Sequence, residues 1–320
     1  MQNQDDLAVQ VARLYYYQNL TTEKIAEELG LSRPKVSRLL THAKKNGLVE
    51  IRIHDPREPT RTLEGLLREH FQLERVHVIP TPENANEAEC MRRVAMYAAN
   101  HMGMLIQPGM TVGIAWGTTL NAVSQHLIPK PIPGVTLVQL NGSGTPTNFM
   151  SDHALGLLQR FGDNYQASVN PFPIPAFFDY SETKQALWRE RSIRRVLDLQ
   201  QQADLLLYSI GSAKASVLSY VYAANYLDPQ DLKDMQQMNV VGDIATVFFR
   251  EDGSFDGIPL NDRASGPDLS LFKNRKGAVC IVAGESKALA LWGALRGRLM
   301  SELIVDDKTV RKVLGYGGVV

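Results

Sequence analysis

Cysteine is scarce: the 320 residues contain two, Cys90 and Cys280. That excludes a multi-disulfide scaffold, and their spacing matches no metal-ligand motif, so both read as small buried hydrophobes. Nothing in the pattern asks for a metal ion or a cofactor. Long apolar runs are missing too, and none approaches the roughly 20 residues of a membrane span. The start MQNQDDLAVQ lacks the basic head and apolar middle of a signal peptide, so a cytoplasmic protein is expected. Net charge is absent, with 34 basic residues against 34 acidic. A neutral surface excludes proteins that coat nucleic acid indiscriminately, because those need basic area over much of their surface. The last absence is local: Leu29 to Val49 contains no Asp or Glu but five Lys or Arg.

Around that segment the pattern is helical. Leu7, Val11 and Leu14 fall at helical spacing after Asp5 and Asp6, which predicts a first helix to about Tyr17. Thr21 or Thr22 caps a second helix whose inward face is Ile25, Ala26 and Leu29. Gly30 supplies a tight turn, and Ser32 caps a third helix with Pro34 in its first turn. Val36, Leu39, Leu40 and Ala43 then face inward, leaving Arg33, Lys35, Ser37 and Arg38 outward near the helix start. A recognition helix carries its contacts there: arginine forks onto a guanine edge, while lysine and serine hold phosphates. His42, Lys44 and Lys45 read as phosphate contacts or plain surface. Asn46-Gly47 makes a turn, and Val49, Ile51 and Ile53 alternate like the wing of a winged helix. A basic run is most often a solvated helix face. Here the caps, the glycine turn and the missing acids agree on a helix-turn-helix DNA-binding domain over residues 1–54.

Residues 55–62 (DPREPTRT) hold two prolines and no core residue, and read as a linker. Leu63, Leu66, Leu67 and Phe71 open a second domain, residues 63–320, with an amphipathic helix. Short β-branched runs then alternate with helical patterns: VHVI, MTVGIA, VTLVQL, ADLLLYSI, AVCIVAG and ELIVD. That alternation predicts a Rossmann-like, mostly parallel α/β sheet covered on both faces. Four of the strands run into glycine and a hydroxyl: Gly117-Thr118-Thr119, Asn141-Gly142-Ser143-Gly144, Gly211-Ser212 and Gly284-Glu285-Ser286-Lys287. Loops at the carboxyl ends of parallel strands share one rim, where ligands bind. Glycine lets backbone N–H groups approach an anion, the hydroxyls donate, and Lys287 adds a full charge. The expected ligand is small, oxygen-rich and phosphorylated. Taken singly, each junction is an ordinary turn with a helix cap; together they point to one site. Asp243, before the apolar run Thr246 to Phe249, is placed to accept from two sugar hydroxyls or to close an Asx-type turn.

ARLYYYQNLTTEKIAEELGLSRPKVSRLL resembles the helix-turn-helix of the sorbitol-operon (SorC-type) family of bacterial sugar-binding transcriptional regulators. WGTT, QLNGSG, VGDI, LNDR and AGESKALALWGALRG resemble that family's effector domain, in the same order. The resemblance implies an effector domain related to sugar-phosphate isomerases and deaminases. It also implies a homodimer or homotetramer on a palindromic operator, released or re-arranged by a phosphorylated sugar, with repression the expected sign. Carried over by position, the phosphate lies on Gly117, Thr118, Thr119 and Lys287, and the sugar meets Asn141, Gly142, Ser143 and Asp243. WGTT with PFPIPAFFD (Pro171 to Asp179) looks most like the deoxyribonucleoside-regulator branch. Asn141 stands where that branch can carry a lysine, and an amide cannot condense with an aldehyde.

The alternative is a sugar-phosphate isomerase- or deaminase-like enzyme with an appended DNA-binding domain. It would need a carboxylate or histidine beside the sugar. Asp152, His153 and Asp163 follow the NGSG loop, but Ser151 and Asp152 read more simply as a helix cap; His101 and His126 sit in helical segments without an evident partner. The expected protein is therefore a regulator and not an enzyme.

Overall fold

The computed structural model describes residues 4–49, 59–145, 152–212, 220–223 and 226–318. The chain forms two compact units, Met1–Pro56 and Arg57–Val320. In the first, α1 (Gln4–Tyr16), α2 (Thr22–Glu28) and α3 (Arg33–Lys45) close over Ala8, Val11, Leu14, Ile25, Val36, Leu39 and Ala43. Thr21 caps α2 by accepting from the Lys24 amide. Gly30 takes a positive φ of 63°, which suits glycine and turns the chain into α3. Ser32 occupies the N-cap position of α3, but its side chain makes no capping hydrogen bond. Of the expected wing, Ile51 and Ile53 lie outside the described residues.

The first described element of the second unit is α4 (Pro59–Phe71), so residues 59–62, expected to close the linker, are the helix's first turn. A proline at the start of a helix costs no intrahelical bond. There follow β1 (Arg75–Ile79), α5 (Glu87–Leu105), β2 (Thr111–Ile114), α6 (Thr118–Ser124), β3 (Thr136–Gln139), α7 (Asp152–Tyr165) and β4 (Ser168–Asn170). Next come α8 (Ser181–Leu187), α9 (Arg191–Gln202), β5 (Leu205–Tyr208), β6 (Ile210–Gly211), α10 (Tyr220–Ala223), α11 (Pro229–Gln237) and β7 (Val240–Ile244). The chain ends with β8 (Val247–Arg250), α12 (Pro259–Arg263), β9 (Ala278–Val282), α13 (Ala288–Arg296), β10 (Glu302–Asp306) and α14 (Asp307–Tyr316). His126 falls just after α6 rather than inside a helix.

All six expected strands lie in one seven-stranded sheet of order β1-β10-β9-β5-β2-β3-β4, every pair parallel. Strands buried on both faces read as continuous apolar runs, which is why AVCIVAG and ELIVD were visible in sequence. Val279 and Ile281 pack with residues of α5 and α7 on one face. Ala278, Cys280 and Val282 pack with α4, α13 and α14 on the other. Both cysteines are buried and free, Cys280 within the sheet. The run ADLLLYSI is not one strand. It breaks at Ser209, and Ile210–Gly211 pairs antiparallel with β7 in a second, three-stranded sheet, β6-β7-β8. No helix among the described residues is long and apolar enough to cross a membrane.

Candidate ligand-binding site and nucleic-acid interface

Sheet order explains why the four glycine-hydroxyl loops belong together. β9, β5, β2 and β3 are consecutive neighbours. Their carboxyl ends therefore open onto one stretch of rim. There Gly117, Thr118, Thr119, Asn141, Gly211, Asp243 and Lys287 line a narrow cleft of about 30 Å³, well below the roughly 300–1,000 Å³ of sites that enclose a drug-sized ligand. Ala115, Trp116, Ser209, Ile210, Val221, Ala245 and Thr246 complete the wall. A separate shallow depression on α9, lined by Arg191, Arg194, Arg195, Asp198, Leu199 and Gln202, contains no residue singled out by sequence.

The remaining expected residues do not line the cleft, and packing explains why. The Gly142 amide donates to Ser265 Oγ (2.9 Å). A Cβ at Gly142 would meet the carbonyl oxygens of Ile174 and Pro175 within 2.5 Å. Gly144 donates to the Ile174 carbonyl, and the Ser143 carbonyl accepts from Tyr226 Oη. Ser212 is buried beyond β6. Gly142, Ser143 and Gly144 thus dock the proline-rich segment 171–179 and hold Asn141 in place. Trp116 Nε1 assists by donating to the carbonyls of Asn141 and Gly142, and Gln139 Nε2 also donates to Asn141.

Four buried side-chain atoms among the described residues lack a hydrogen-bond partner, and two belong to cleft residues: Asn141 Oδ1 and Asp243 Oδ1. Buried acceptors without donors are costly and rare, so a pair of them at one cleft leaves acceptor capacity for a ligand's donors. The other Asp243 oxygen accepts from the Thr246 amide (3.2 Å), so the residue also closes the turn the sequence suggested. Burial pushes the Asp243 carboxyl up to about 6, against the pull of Tyr222, the Thr246 amide and Lys287. The buried Tyr222 hydroxyl lies beside it, near enough to help keep the carboxylate ionised but without a well-formed hydrogen bond, and burial pushes the phenol well up.

Lys287 is buried, and its Nζ donates to Thr119 Oγ1 (3.3 Å), which also accepts from Ser209 Oγ (3.0 Å). Burial pushes the ammonium down, while Asp243, Cys280 and Glu87 hold it up. The cleft therefore pairs a cation and hydroxyls with two bare acceptors, the complement of an anion carrying hydroxyl groups. Backbone strain sits beside it. Ala245 and Thr246, the two-residue turn between β7 and β8, both have positive φ (48° and 71°). Such hairpins favour Asn-Gly, and a β-branched residue there is an outlier of the kind that clusters at functional sites.

Sequence reasoning missed Trp116, Ser209, Tyr222 and Thr246. The WGTT motif held Trp116 in view, but its role depends on a loop beyond the next strand. Ser209 was hidden inside a run read as one strand.

On α3, Arg33, Lys35, Ser37, Arg38 and Lys44 are exposed. Arg33 Nε pairs with Glu23 across the turn (2.9 Å), both largely in solvent, a contact weak enough to give way to phosphate. His42 is placed differently: its Nε2 meets Asp5 Oδ1 on α1 (2.7 Å), joining helices within the unit. The Lys44 ammonium lies over the Tyr16 ring at 6.0 Å.

The sugar-binding domain family matches residues 55–315, and sigma-70 region 4 matches residues 7–46. The deoxyribonucleoside regulator of Bacillus subtilis (strain 168) is 32% identical over 310 residues, 96% of this chain and 97% of that protein. The transcriptional regulator LsrR of Escherichia coli (strain K12) is 28% identical, over 97% of this chain and 95% of its own length. The crystal structure of a domain of a possible sugar-binding transcriptional regulator from Arthrobacter aurescens TC1 superposes with TM-score 0.75 at 42% identity, covering 82% of this chain and all of that one (100%). The full-length sorbitol operon regulator SorC from Klebsiella pneumoniae shares the fold over 98% of this chain and 100% of its own, with TM-score 0.76 at 22% identity. With its relatives regulators over their whole length and its two units matched in order, the chain belongs to the SorC-type family of sugar-binding transcriptional regulators.

Proposed function

We propose that this regulator is a repressor of a sugar, polyol or nucleoside catabolic operon, and that a phosphorylated sugar in the β2-β3-β5-β9 cleft releases or re-arranges it on a palindromic operator. The observation that carries the reading is the pair of bare acceptors, Asn141 Oδ1 and Asp243 Oδ1, in the cleft that holds the buried Lys287. The hydroxyls of the sugar satisfy the acceptors, and its phosphate takes Lys287 with Thr118 and Thr119. Asn141 supports reversible binding here, because an amide forms no imine with an aldehyde. Among the described residues no histidine lines the cleft, Asp163 accepts from Gln159 on the surface of α7, and the Asp243 carboxylate is read as an acceptor held by the Thr246 amide, so no catalytic step is assigned. The side chains of Asp152 and His153 lie outside the described residues.

The regulator works as a homodimer or homotetramer, since paired recognition helices must meet half-sites about 34–36 Å apart, or a multiple of that. Effector binding shifts subunit packing and with it that spacing. By linkage, operator DNA lowers effector affinity by the same factor that effector lowers operator affinity.

A thermal-shift screen of the full chain against phosphorylated and free pentoses, hexoses and sugar alcohols tests the site. A sugar phosphate is expected to raise the melting temperature while its unphosphorylated form does not. Stabilisation by free sugars alone would remove Lys287 from the phosphate. Two variants separate the halves of the protein. Arg38→Ala is expected to weaken operator binding by about 1–3 kcal/mol in gel-shift titrations while leaving the thermal shift by effector unchanged. Gly211→Ala acts on the other half. A Cβ at Gly211 would lie 1.9 Å from Asp243 Oδ1, so the carboxylate must move. Effector affinity is expected to fall at least about tenfold, the value of one hydrogen bond to a charged group, with operator affinity retained.

A further inference from the structure

The other end of the sheet carries a second cluster. His77 on β1, His101 on α5 and Glu302, the first residue of β10, bring their donor atoms within 4.8 Å of one another. The sequence hid it: 201 and 225 residues separate Glu302 from the two histidines. Here His101, which showed no partner in sequence, meets one. Its Nε2 contacts Glu302 Oε1, and His77 Nε2 lies 3.0 Å from the same oxygen. Glu302 is wholly buried and His101 nearly so, while the His77 side chain keeps 21% exposure and leaves one side open.

The surroundings are arranged like an outer shell. Glu302 Oε2 is occupied by Arg75, whose Nε and Nη2 donate at 2.7 and 2.6 Å, so Oε1 alone faces the imidazoles. Tyr97 Oη lies 2.9 Å from His77 Nδ1. A hydroxyl can accept as well as donate, so this contact serves either tautomer of His77. His101 Nδ1 is buried without a partner, so in the metal-free protein the ring keeps its proton on Nε2 and donates it to Glu302 Oε1. Both Nε2 atoms thus converge on one carboxylate oxygen, and a metal ion binding there would take the place of the protons they donate to it.

We propose that His77 Nε2, His101 Nε2 and Glu302 Oε1 bind one divalent transition-metal ion of the zinc class, with a fourth position open to water. Two imidazoles and one carboxylate suit such an ion. Ligands at roughly 2.0–2.2 Å in a tetrahedron stand roughly 3.4 Å apart, so the His77–Glu302 separation of 3.0 Å must widen by a few tenths of an ångström and the closer His101–Glu302 contact by more. Each imidazole then carries its proton on Nδ1, and His77 donates it to Tyr97, the outer contact that orients a ligating histidine. Arg75 does the same for the carboxylate, and its charge keeps affinity below that of a closed structural site. The ion would clip the edge strand β1 to β10 and α5, away from the cleft, without taking part in effector binding.

The test is a Co²⁺ titration of chelator-treated full-length protein. One ion per chain is expected, with the visible bands of a tetrahedral nitrogen–oxygen site, displaced by Zn²⁺ and accompanied by a higher melting temperature. Loss of an outer-shell partner costs about 10–100-fold in affinity, so Tyr97→Phe should lie in that range and His77→Asn at or beyond its upper end. His77 is partly exposed, so its replacement leaves the fold intact; Tyr97→Phe decides if it does not. Absence of stoichiometric binding to folded protein overturns the proposal. So does parental affinity in His77→Asn, which would put the ion on another histidine.

Discussion

Lys287→Met is expected to leave the protein folded and on its operator but unable to answer its effector. The side chain is buried, and among the described residues its ammonium donates to Thr119 Oγ1. Removing the charge returns the cost of burying it, and methionine keeps most of the volume. Asp243 then loses its cation, but its carboxyl already sits near 6 and takes up a proton instead of standing as a bare buried charge. The two changes nearly offset, so the melting temperature should stay within a few degrees of the parent's. If the effector's phosphate sits on Lys287 as proposed, it would lose a charge-assisted contact worth about 1.5–3 kcal/mol per hydrogen bond. With one or two such bonds gone, affinity falls on the order of 10- to 10⁴-fold by calorimetry. If Lys287→Met instead melted far below the parent with effector affinity intact, the lysine would be a packing element and the phosphate would lie elsewhere.

The same pair gives a pH dependence of definite sign. Asp243 is pushed up to about 6 in the folded protein, above the ordinary carboxyl value of 3.8. Between those two values the native state holds a proton that the unfolded state has lost. Stability therefore falls as pH rises from about 4 to about 6, and this contribution is flat above that. Two units correspond to at most about 3 kcal/mol. Effector affinity should run the other way, weakening below pH 6 as the acceptor is protonated. Asp243→Asn is expected to flatten both profiles, which melting and binding curves across this range would record.

How much of this was legible beforehand depended on the range of the interaction. Strands β9 and β10 are buried on both faces, so their apolar runs announce them. Gly30 and the cap of α2 are written within a few residues, whereas Ser32 before α3 makes no capping bond. The cleft was half legible: a glycine-hydroxyl junction is local, and parallel strands put such junctions on one rim, but strand order decides which are neighbours. Gly142 and Gly144 show the limit. They carry the same signal as Gly117, yet their glycines answer to the backbone of 174–176, a close approach that sequence spacing does not encode. The Gly315-Tyr316 pair ends α14, because Val310, Val313 and Leu314 bury that helix against the sheet. Least legible was the Glu302 cluster, whose parts are joined only by the pairing of β1 with β10.

That cluster yields the largest expected loss of stability. Glu302→Ala strips the acceptor from Arg75, His77 and His101 at once, inside a site with no solvent exposure at the carboxylate. Removing one partner of a buried charged set costs about 3–5 kcal/mol, and urea unfolding of chelator-treated protein should register it as a lower midpoint with the slope unchanged. Glu302→Gln should fall between, since an amide keeps one acceptor but turns N–H groups toward a neighbouring donor. The informative variant replaces the set: Glu302→Met with His101→Leu and Arg75→Met removes the buried carboxylate, its buried imidazole and its guanidinium together. Buried ion pairs exchanged for apolar residues of similar size commonly lose nothing. If the triple variant matches the parent's stability while Glu302→Ala collapses, the charges add no net stability to the sheet edge. Their presence there would then be explained by what they can hold, which is the position the two imidazoles and the free carboxylate oxygen share.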